Sequence, residues 1–126
     1  EKINTFAALF PTEKLRPGKI IRQNTLKHII IGGVAGGATA AARIRRADET
    51  AEIVLLEKGR YISYANCGLP YYIGGTIAER EKLFVQTPTS FGTRFRIDVR
   101  VESEAVAVDP AAKTVTVRRA DGSTYT

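Results

Sequence analysis

The chain contains one cysteine, Cys67, within the stretch SYANCGLPYYIGG (63–75). A single thiol forms no disulfide within the chain and supplies no thiolate metal cluster, so it is either packing filler or a reactive group. The sequence predicts a short helix over Cys67–Ile73, whose dipole and free N–H groups would stabilise a thiolate. Ser63 and Asn66 bring hydrogen-bonding side chains close to the sulfur. The alternative is an inert, buried cysteine.

A second group of residues has the types that bind phosphate: Gly32, Gly33, Gly36 and Gly37. Between a strand and a helix, free backbone N–H groups and the helix dipole favour a pyrophosphate. Glu57 follows Gly37 by twenty residues, where a dinucleotide fold places the carboxylate that binds an adenosine ribose. Val34 replaces the second glycine of the G-x-G-x-x-G pattern. The spacing of the glycines and the acid does not distinguish an FAD site from an NAD site. The alternative is a tight turn with structural glycines and a solvated Glu57.

Positioning the glycines and the acid requires a βαβ unit. The run HIII predicts a first strand from His28, ATAAARIRRA predicts a helix, and AEIVLLE predicts a second strand parallel to the first. Another helix is predicted over PTSFGTRF, because Thr87 suits the N-cap and Pro88 the first helical position. IDVRV returns to β, and AVAVD, KTVTVRR and STYT are predicted as a β-meander. The fold class is α/β, a parallel sheet with a β-meander.

Composition narrows the range of functions. The 126 residues are 44% hydrophobic, enough for one packed core, and contain no apolar run of membrane-spanning length and no secretory signal. We therefore expect a cytoplasmic protein without membrane contact. The net charge of +6 suggests an anionic partner, but the basic residues are dispersed, so nucleic acid is not expected. No metal site is predicted, and His28 is interpreted as structural. Residues 1–26 are predicted to form a leader or irregular extension.

Four segments together resemble the N-terminal FAD-binding portion of coenzyme A disulfide reductases: IIIGGVAGGATAAARIRR, EIVLLEKGRYISYANCGLPYYIGG, QTPTSF and RFRIDVRVESEAVAVD. These enzymes are pyridine nucleotide-disulfide oxidoreductases that use a single cysteine. The resemblance implies that residues 27–126 are the incomplete N-terminal part of a Rossmann-like FAD-binding domain. It also implies that the NAD(P)H site lies outside this chain, that the full-length protein is a homodimer, and that this piece alone has no turnover.

The resemblance also assigns roles to individual residues. Cys67 is the redox nucleophile, forming a mixed disulfide with CoA and a charge-transfer contact with the flavin, and Asn66 lies beside both. FAD would be bound by the glycine turn, by Glu57 and the adjacent Lys58, and by the backbone of Ala105 in the meander. The residues of the turn are Gly32, Gly33, Val34, Ala35, Gly36 and Gly37. CoA would be held by one helix face and the cysteine segment: Thr39, Arg43, Arg46, Ser63 and Asn66.

This chain differs from related families at positions that argue against an internal dithiol mechanism and against a peroxidase. Dithiol reductases have a second cysteine five residues from the first, where this chain has Ile62 and Tyr72. NADH peroxidases have a histidine where this chain has Ala35, and a lysine that some relatives use for CoA is replaced by Phe95, next to Arg94.

The predicted function is an FAD-dependent NAD(P)H:disulfide oxidoreductase that reduces CoA disulfide. Within the family, an NADH oxidase and a CoA-dependent persulfide or polysulfide reductase remain alternatives. Outside it, the alternatives are an NAD-dependent dehydrogenase with an inert cysteine and a nucleotide- or nucleic-acid-binding module without redox activity.

Overall fold

A parallel sheet with one connecting helix forms the first half of the structure. The computed structural model describes residues 26–126, so the extension predicted over residues 1–26 lies, except for Leu26, outside the described residues. The first elements are strand β1 (Lys27–Ile31), helix α1 (Ala35–Ala47) and strand β2 (Glu52–Leu56). The two strands are parallel over their whole length. This arrangement confirms the predicted βαβ unit.

Strand β2 is the centre of the core because both of its faces are buried. On one face, Ile53 and Leu55 pack in a cluster with Ala41 of α1 and with Ile62. The alanines of α1 carry only a methyl group, which lets the helix lie close to the sheet. On the other face, Val54 and Leu56 pack against the second sheet. Truncation of a side chain such as Leu55 to alanine would cost roughly 2–5 kcal/mol.

The second half contains two short helices, a third parallel strand and a β-meander. Its elements are α2 (Leu69–Ile73), α3 (Pro88–Phe95), β3 (Asp98–Arg100), β4 (Ser103–Asp109), β5 (Thr114–Arg119) and β6 (Thr124–Tyr125). Strand β3 pairs with β2 in parallel, which gives the order β1-β2-β3. Strands β4, β5 and β6 form a separate antiparallel sheet, as the sequence predicted. The ladder of β4 with β5 shifts register between Ala105 and Ala107.

Helix α3 begins where the sequence predicts it. The Thr87 hydroxyl oxygen accepts a hydrogen bond from the Ser90 N–H at 3.1 Å. In return, the Ser90 hydroxyl oxygen accepts one from the Thr87 N–H at 3.1 Å. Pro88 occupies the first helical position, where no N–H is needed. This reciprocal cap satisfies two backbone donors and is worth about 1 kcal/mol.

Two predicted helix boundaries are wrong. Helix α1 begins at Ala35 and includes Gly36 and Gly37, which the sequence placed in the turn. The segment predicted as one helix over Cys67–Ile73 is a 3₁₀ turn, Asn66–Gly68, followed by α2. In the 3₁₀ turn the N–H of Gly68 donates to the Ala65 carbonyl oxygen at 2.9 Å, which tightens the chain before α2 starts.

Strand β1 has one open side among residues 26–126, where it pairs with β2 alone. Its odd-numbered apolar side chains face away from α1, and Ile29 and Ile31 are exposed, as is the adjoining Leu26. In the described part of the chain, no helix has the length and hydropathy to cross a membrane.

Candidate functional site

The glycine turn between β1 and α1 presents backbone donors. Gly32 has a φ of +96°, a conformation that glycine adopts without strain. The first helical hydrogen bond runs from the Ala38 N–H to the Val34 carbonyl oxygen at 3.0 Å. The N–H groups of Ala35, Gly36 and Gly37 therefore have no partner within the helix. Free N–H groups at the positive end of a helix dipole form a site for an anion such as a phosphate.

Two of the glycines are required by packing, whereas a third leaves space. A Cβ on Gly37 would overlap the Gly32 carbonyl oxygen, and one on Gly33 would lie 2.7 Å from Cγ2 of Ile62. A Cβ on Gly36 would meet no atom within 4 Å. Gly37 and Gly33 therefore allow α1 and the chain around Ile62 to approach the turn. The space above Gly36 is open, so a phosphate could enter it, whereas a side chain at this position would occupy it.

Glu57 is fixed at the end of β2 by its own carboxylate. One oxygen accepts from the Gly33 N–H at 2.7 Å, and the other accepts from the Gly59 N–H at 2.8 Å. Glu57 is therefore not the freely solvated strand end of the alternative interpretation. Each carboxylate oxygen has a second lone pair. The group can hold the turn and still accept hydrogen bonds from a ribose.

The cysteine segment is attached directly to the glycine turn. The N–H of Ser63 donates to the Gly33 carbonyl oxygen at 2.9 Å, and the Ser63 carbonyl oxygen accepts from the Val85 N–H at 2.8 Å. These bonds hold Ser63 in a left-handed conformation, with φ of +47°. Four residues later, Cys67 is exposed and its thiol is free. The accessible thiol argues against the inert, buried cysteine.

The three residues predicted on α1 share one exposed face. Thr39, Arg43 and Arg46 are each exposed, and their spacing of four and three residues aligns them along the helix. Asn66 is also exposed, and Ser63 is half-buried. The two arginines form no salt bridge with any residue between 26 and 126. This face can therefore receive an anionic ligand.

Lys58 turns toward the meander. Its ammonium lies 2.9 Å from Glu104, and the same carboxylate accepts from Arg118 at 2.7 Å. Hydrogen bonds from Arg118 and Lys58 hold the pKa of Glu104 below its ordinary value. Ala105, the predicted adenine contact, is the next residue of β4, is half-buried and lies opposite Val117. The ion pairs connect the chain after Glu57 to β4.

Arg45 is a residue whose role the sequence analysis missed. Its guanidinium is buried and donates to the carbonyl oxygens of Phe95, Glu49 and Arg96 at 2.7–2.8 Å. Those oxygens belong to the chain at and just beyond the ends of α1 and α3. The cation therefore satisfies backbone acceptors of both helix ends. No local pattern identifies it, because Phe95 and Arg96 lie 50 and 51 residues away.

The fold and the glycine turn together identify the class of protein to which this chain belongs. A glycine turn between the first strand and helix of a βαβ unit, with a carboxylate ending the second strand, is a Rossmann-type dinucleotide-binding arrangement. The chain belongs to the pyridine nucleotide-disulphide oxidoreductase family, whose family model matches residues 26–126. This membership confirms the resemblance inferred from the sequence.

Individual relatives are consistent with the family assignment. The chain is 47% identical over 91 residues to the coenzyme A disulfide reductase of Staphylococcus epidermidis, covering 72% of this chain and 21% of the relative. The crystal structure of reduced Bacillus anthracis CoADR-RHD matches with 51% identity and a TM-score of 0.79, over 82% of this chain and 19% of that one. An NAD-dependent persulfide reductase from A. fulgidus matches with 38% identity and a TM-score of 0.74, over 79% and 19%. The chain thus spans about a fifth of the length of these relatives.

Proposed function

We propose that this chain is the N-terminal part of an FAD-dependent, NAD(P)H-consuming oxidoreductase that reduces CoA disulfide through Cys67. The observation that carries the proposal is the hydrogen bond from the Ser63 N–H to the Gly33 carbonyl oxygen, at 2.9 Å. It attaches the segment with the free thiol to the turn that suits a dinucleotide. The identity to coenzyme A disulfide reductases supports CoA disulfide as the substrate.

The residues of the turn fit FAD. Its pyrophosphate would lie against the N–H groups at the start of α1 and in the open space above Gly36. Its adenosine ribose would hydrogen-bond to Glu57, while Lys58 and the backbone of Ala105 would border the adenosine. The residues proposed to line the pyrophosphate are Gly32, Gly33, Val34, Ala35, Gly36 and Gly37. When bound, FAD supplies the two electrons that disulfide reduction consumes.

Cys67 performs the exchange with the substrate. Its thiolate attacks one sulfur of CoA disulfide, which forms the Cys67–S–S–CoA mixed disulfide and releases the other half as a CoA thiolate. Two electrons and a proton then cleave the mixed disulfide, releasing the second CoA as a thiol and restoring the Cys67 thiolate. Arg43 and Arg46 would bind CoA phosphates, and Thr39, Ser63 and Asn66 would orient the bound CoA. One thiol is sufficient because the substrate provides the other sulfur.

Other features of the full-length protein are part of the same proposal. It would act as a cytoplasmic homodimer, with the NAD(P)H site outside this chain and without nucleic-acid or membrane partners. A persulfide or polysulfide reductase is the second candidate, favoured by the similarity to the persulfide reductase from A. fulgidus. An NADH oxidase would use the same thiol with oxygen as acceptor.

The substrate is tested with the full-length protein purified without reductant. We expect its intact mass to fall by one CoA on treatment with dithiothreitol, and peptide mapping to locate the adduct at Cys67. NADH or NADPH oxidation should accelerate on addition of CoA disulfide under anaerobic conditions. Oxidation that requires oxygen or a persulfide instead would contradict the proposal and select one of the other two reactions. The 126-residue chain alone should show no turnover.

Two glycine substitutions separate packing from flavin binding. Gly36→Ala should stabilise the fold by up to about 1 kcal/mol, because alanine is the better helix former and its Cβ meets no atom. The same methyl group should weaken FAD binding roughly tenfold, because it would occupy the space proposed for the pyrophosphate. The measurements are urea unfolding and FAD titration of the apoprotein.

Gly37→Ala is the matched control for that variant. It should lower the free energy of unfolding by about 3 kcal/mol, because its Cβ overlaps the Gly32 carbonyl oxygen. Unchanged FAD affinity in Gly36→Ala would show that the space above Gly36 holds no phosphate.

A further inference from the structure

A cation and two aromatic rings form a stack beside the cysteine segment. The rings of Tyr61 and Phe84 lie with their centroids 4.9 Å apart and their planes 24° from parallel. The Arg80 guanidinium carbon lies 4.9 Å from the centroid of the Tyr61 ring. An arginine over an aromatic face is attracted by the ring quadrupole, which limits the orientations of the guanidinium. We call Arg80, Tyr61 and Phe84 the arginine stack.

Backbone hydrogen bonds fix the arginine stack relative to the thiol. Arg80 begins a 3₁₀ turn, Arg80–Leu83, and Phe84 follows it directly. The Leu83 carbonyl oxygen accepts from the Ala65 N–H at 2.8 Å, and Phe84 forms an antiparallel bridge with Tyr64. Ala65 precedes Cys67 by two residues. The bridge and the neighbouring hydrogen bond therefore hold Phe84 of the arginine stack against the residues that lead into Cys67.

The arginine stack lines a cavity of about 310 Å³. Glu57 contributes to one part of its wall and Leu69, two residues after Cys67, to another. The cavity therefore borders Glu57, the acid proposed to bind the ribose, and the helix that follows Cys67. A ligand that is held by both could place a group in it.

The charges in this cavity favour an anion. Arg60 also lines it, but its guanidinium pairs with Glu102 at 2.8 Å. Arg80 has no carboxylate within salt-bridge distance between residues 26 and 126. Its planar fork of N–H donors matches phosphate oxygens, and the ring beneath it leaves the edge of the guanidinium free to donate. Among residues 26–126, the only other charged group that lines the cavity is Glu57, whose carboxylate accepts from two backbone N–H groups.

We propose that Arg80 binds a phosphate group of the nucleotide ligand in this cavity and that Tyr61 is the residue that positions it. The inference rests on the proposed function, since a phosphate-bearing ligand must bind next to Cys67. FAD and CoA both carry such phosphates. The shared chemistry is a phosphate oxygen accepting hydrogen bonds from a guanidinium.

The test measures binding without turnover in the full-length protein. FAD is titrated into the apoprotein by flavin fluorescence, and desulfo-CoA, which lacks the thiol, is titrated into the holoprotein by calorimetry. Arg80→Gln should weaken one of the two ligands by roughly tenfold or more, as expected for a lost charge-assisted hydrogen bond. Loss confined to FAD assigns the phosphate to the flavin, and loss confined to desulfo-CoA assigns it to CoA.

Arg119→Gln is the matched control, since its guanidinium carbon lies 4.3 Å from the Tyr125 ring centroid but outside this cavity. Arg80→Gln values for both ligands within twofold of Arg119→Gln would overturn the proposal. A wild-type protein that binds neither ligand would instead refute the proposed function.

Tyr61 is tested by a pair of variants. Tyr61→Phe keeps the aromatic face and should bind both ligands like the wild type. Tyr61→Leu removes the face and should weaken the same ligand that Arg80→Gln weakens, by a smaller factor. Equal binding by the two variants would show that Tyr61 does not position the arginine.

Discussion

Replacement of Cys67 by serine should reduce NAD(P)H-dependent reduction of CoA disulfide by a factor on the order of a thousand or more. A serine hydroxyl is not ionised near neutral pH and does not form a disulfide with the substrate sulfur, so the mixed disulfide is lost. The substitution changes one exposed atom in a 3₁₀ turn and should leave the fold unaltered. Steady-state assays of the full-length protein measure the effect, with flavin content as the control for folding.

The same variant separates the proposed reductase from its rivals. Flavin content should equal that of the wild type, because the proposed contacts with the FAD pyrophosphate and ribose come from the glycine turn and Glu57 and not from the sulfur of Cys67. The CoA-sized mass difference seen with dithiothreitol should disappear. Activity within tenfold of the wild type would indicate a nicotinamide-dependent dehydrogenase with an inert cysteine, and a colourless protein without activity would indicate a nucleotide-binding module.

Replacement of the buried Arg45 by methionine should lower the free energy of unfolding by roughly 3–5 kcal/mol. Methionine preserves much of the side-chain volume but leaves the carbonyl oxygens of Phe95, Glu49 and Arg96 without their donor. Those oxygens belong to the ends of α1 and α3, so both helices lose their connection. Urea unfolding of the full-length protein, monitored by circular dichroism, should show a transition at lower denaturant concentration.

The neighbouring arginine provides the comparison. Arg46 is exposed, and Arg46→Met should change stability by less than about 0.5 kcal/mol. Because Arg46 lies on the face proposed for CoA, Arg46→Met should raise the Kd of desulfo-CoA. The main effect of Arg45→Met should be a lower free energy of unfolding. Equal stability of the two variants would mean that the carbonyl oxygens around Arg45 are satisfied by water.

The elements that the sequence predicted well are those with local signals. The apolar runs of β1 and β2, and the Thr87-Pro88 start of α3, depend on residues within a few positions of each other. The order strand, glycine turn, helix, strand and acid was sufficient to predict the βαβ unit that brings the glycine turn next to Glu57. The meander followed from alternating residues between turn sequences.

Most of the features that were missed depend on contacts between residues far apart in the sequence. Gly36 and Gly37 are poor helix formers, yet both lie in α1. Glycine is required at position 37 because a Cβ there would overlap the Gly32 carbonyl oxygen. The contacts of Arg45 and the stacking of Arg80 on Tyr61 join segments that the sequence does not relate. The sequence predicted that the Glu57 carboxylate would bind a ribose. It did not predict the hydrogen bond from the Gly33 N–H, because that contact forms only when the turn is folded.

The open side of β1 has a consequence for the biosynthesis of this protein. A strand edge with unpaired N–H and C=O groups and exposed isoleucines is a template for pairing with another chain. Ile29 and Ile31 are 39% and 55% exposed in residues 26–126. Where nothing covers that edge, two copies of residues 26–126 can pair through it. Production of residues 26–126 in isolation should therefore favour aggregates, in proportion to protein concentration, and a lysine at Ile31 should improve the soluble yield.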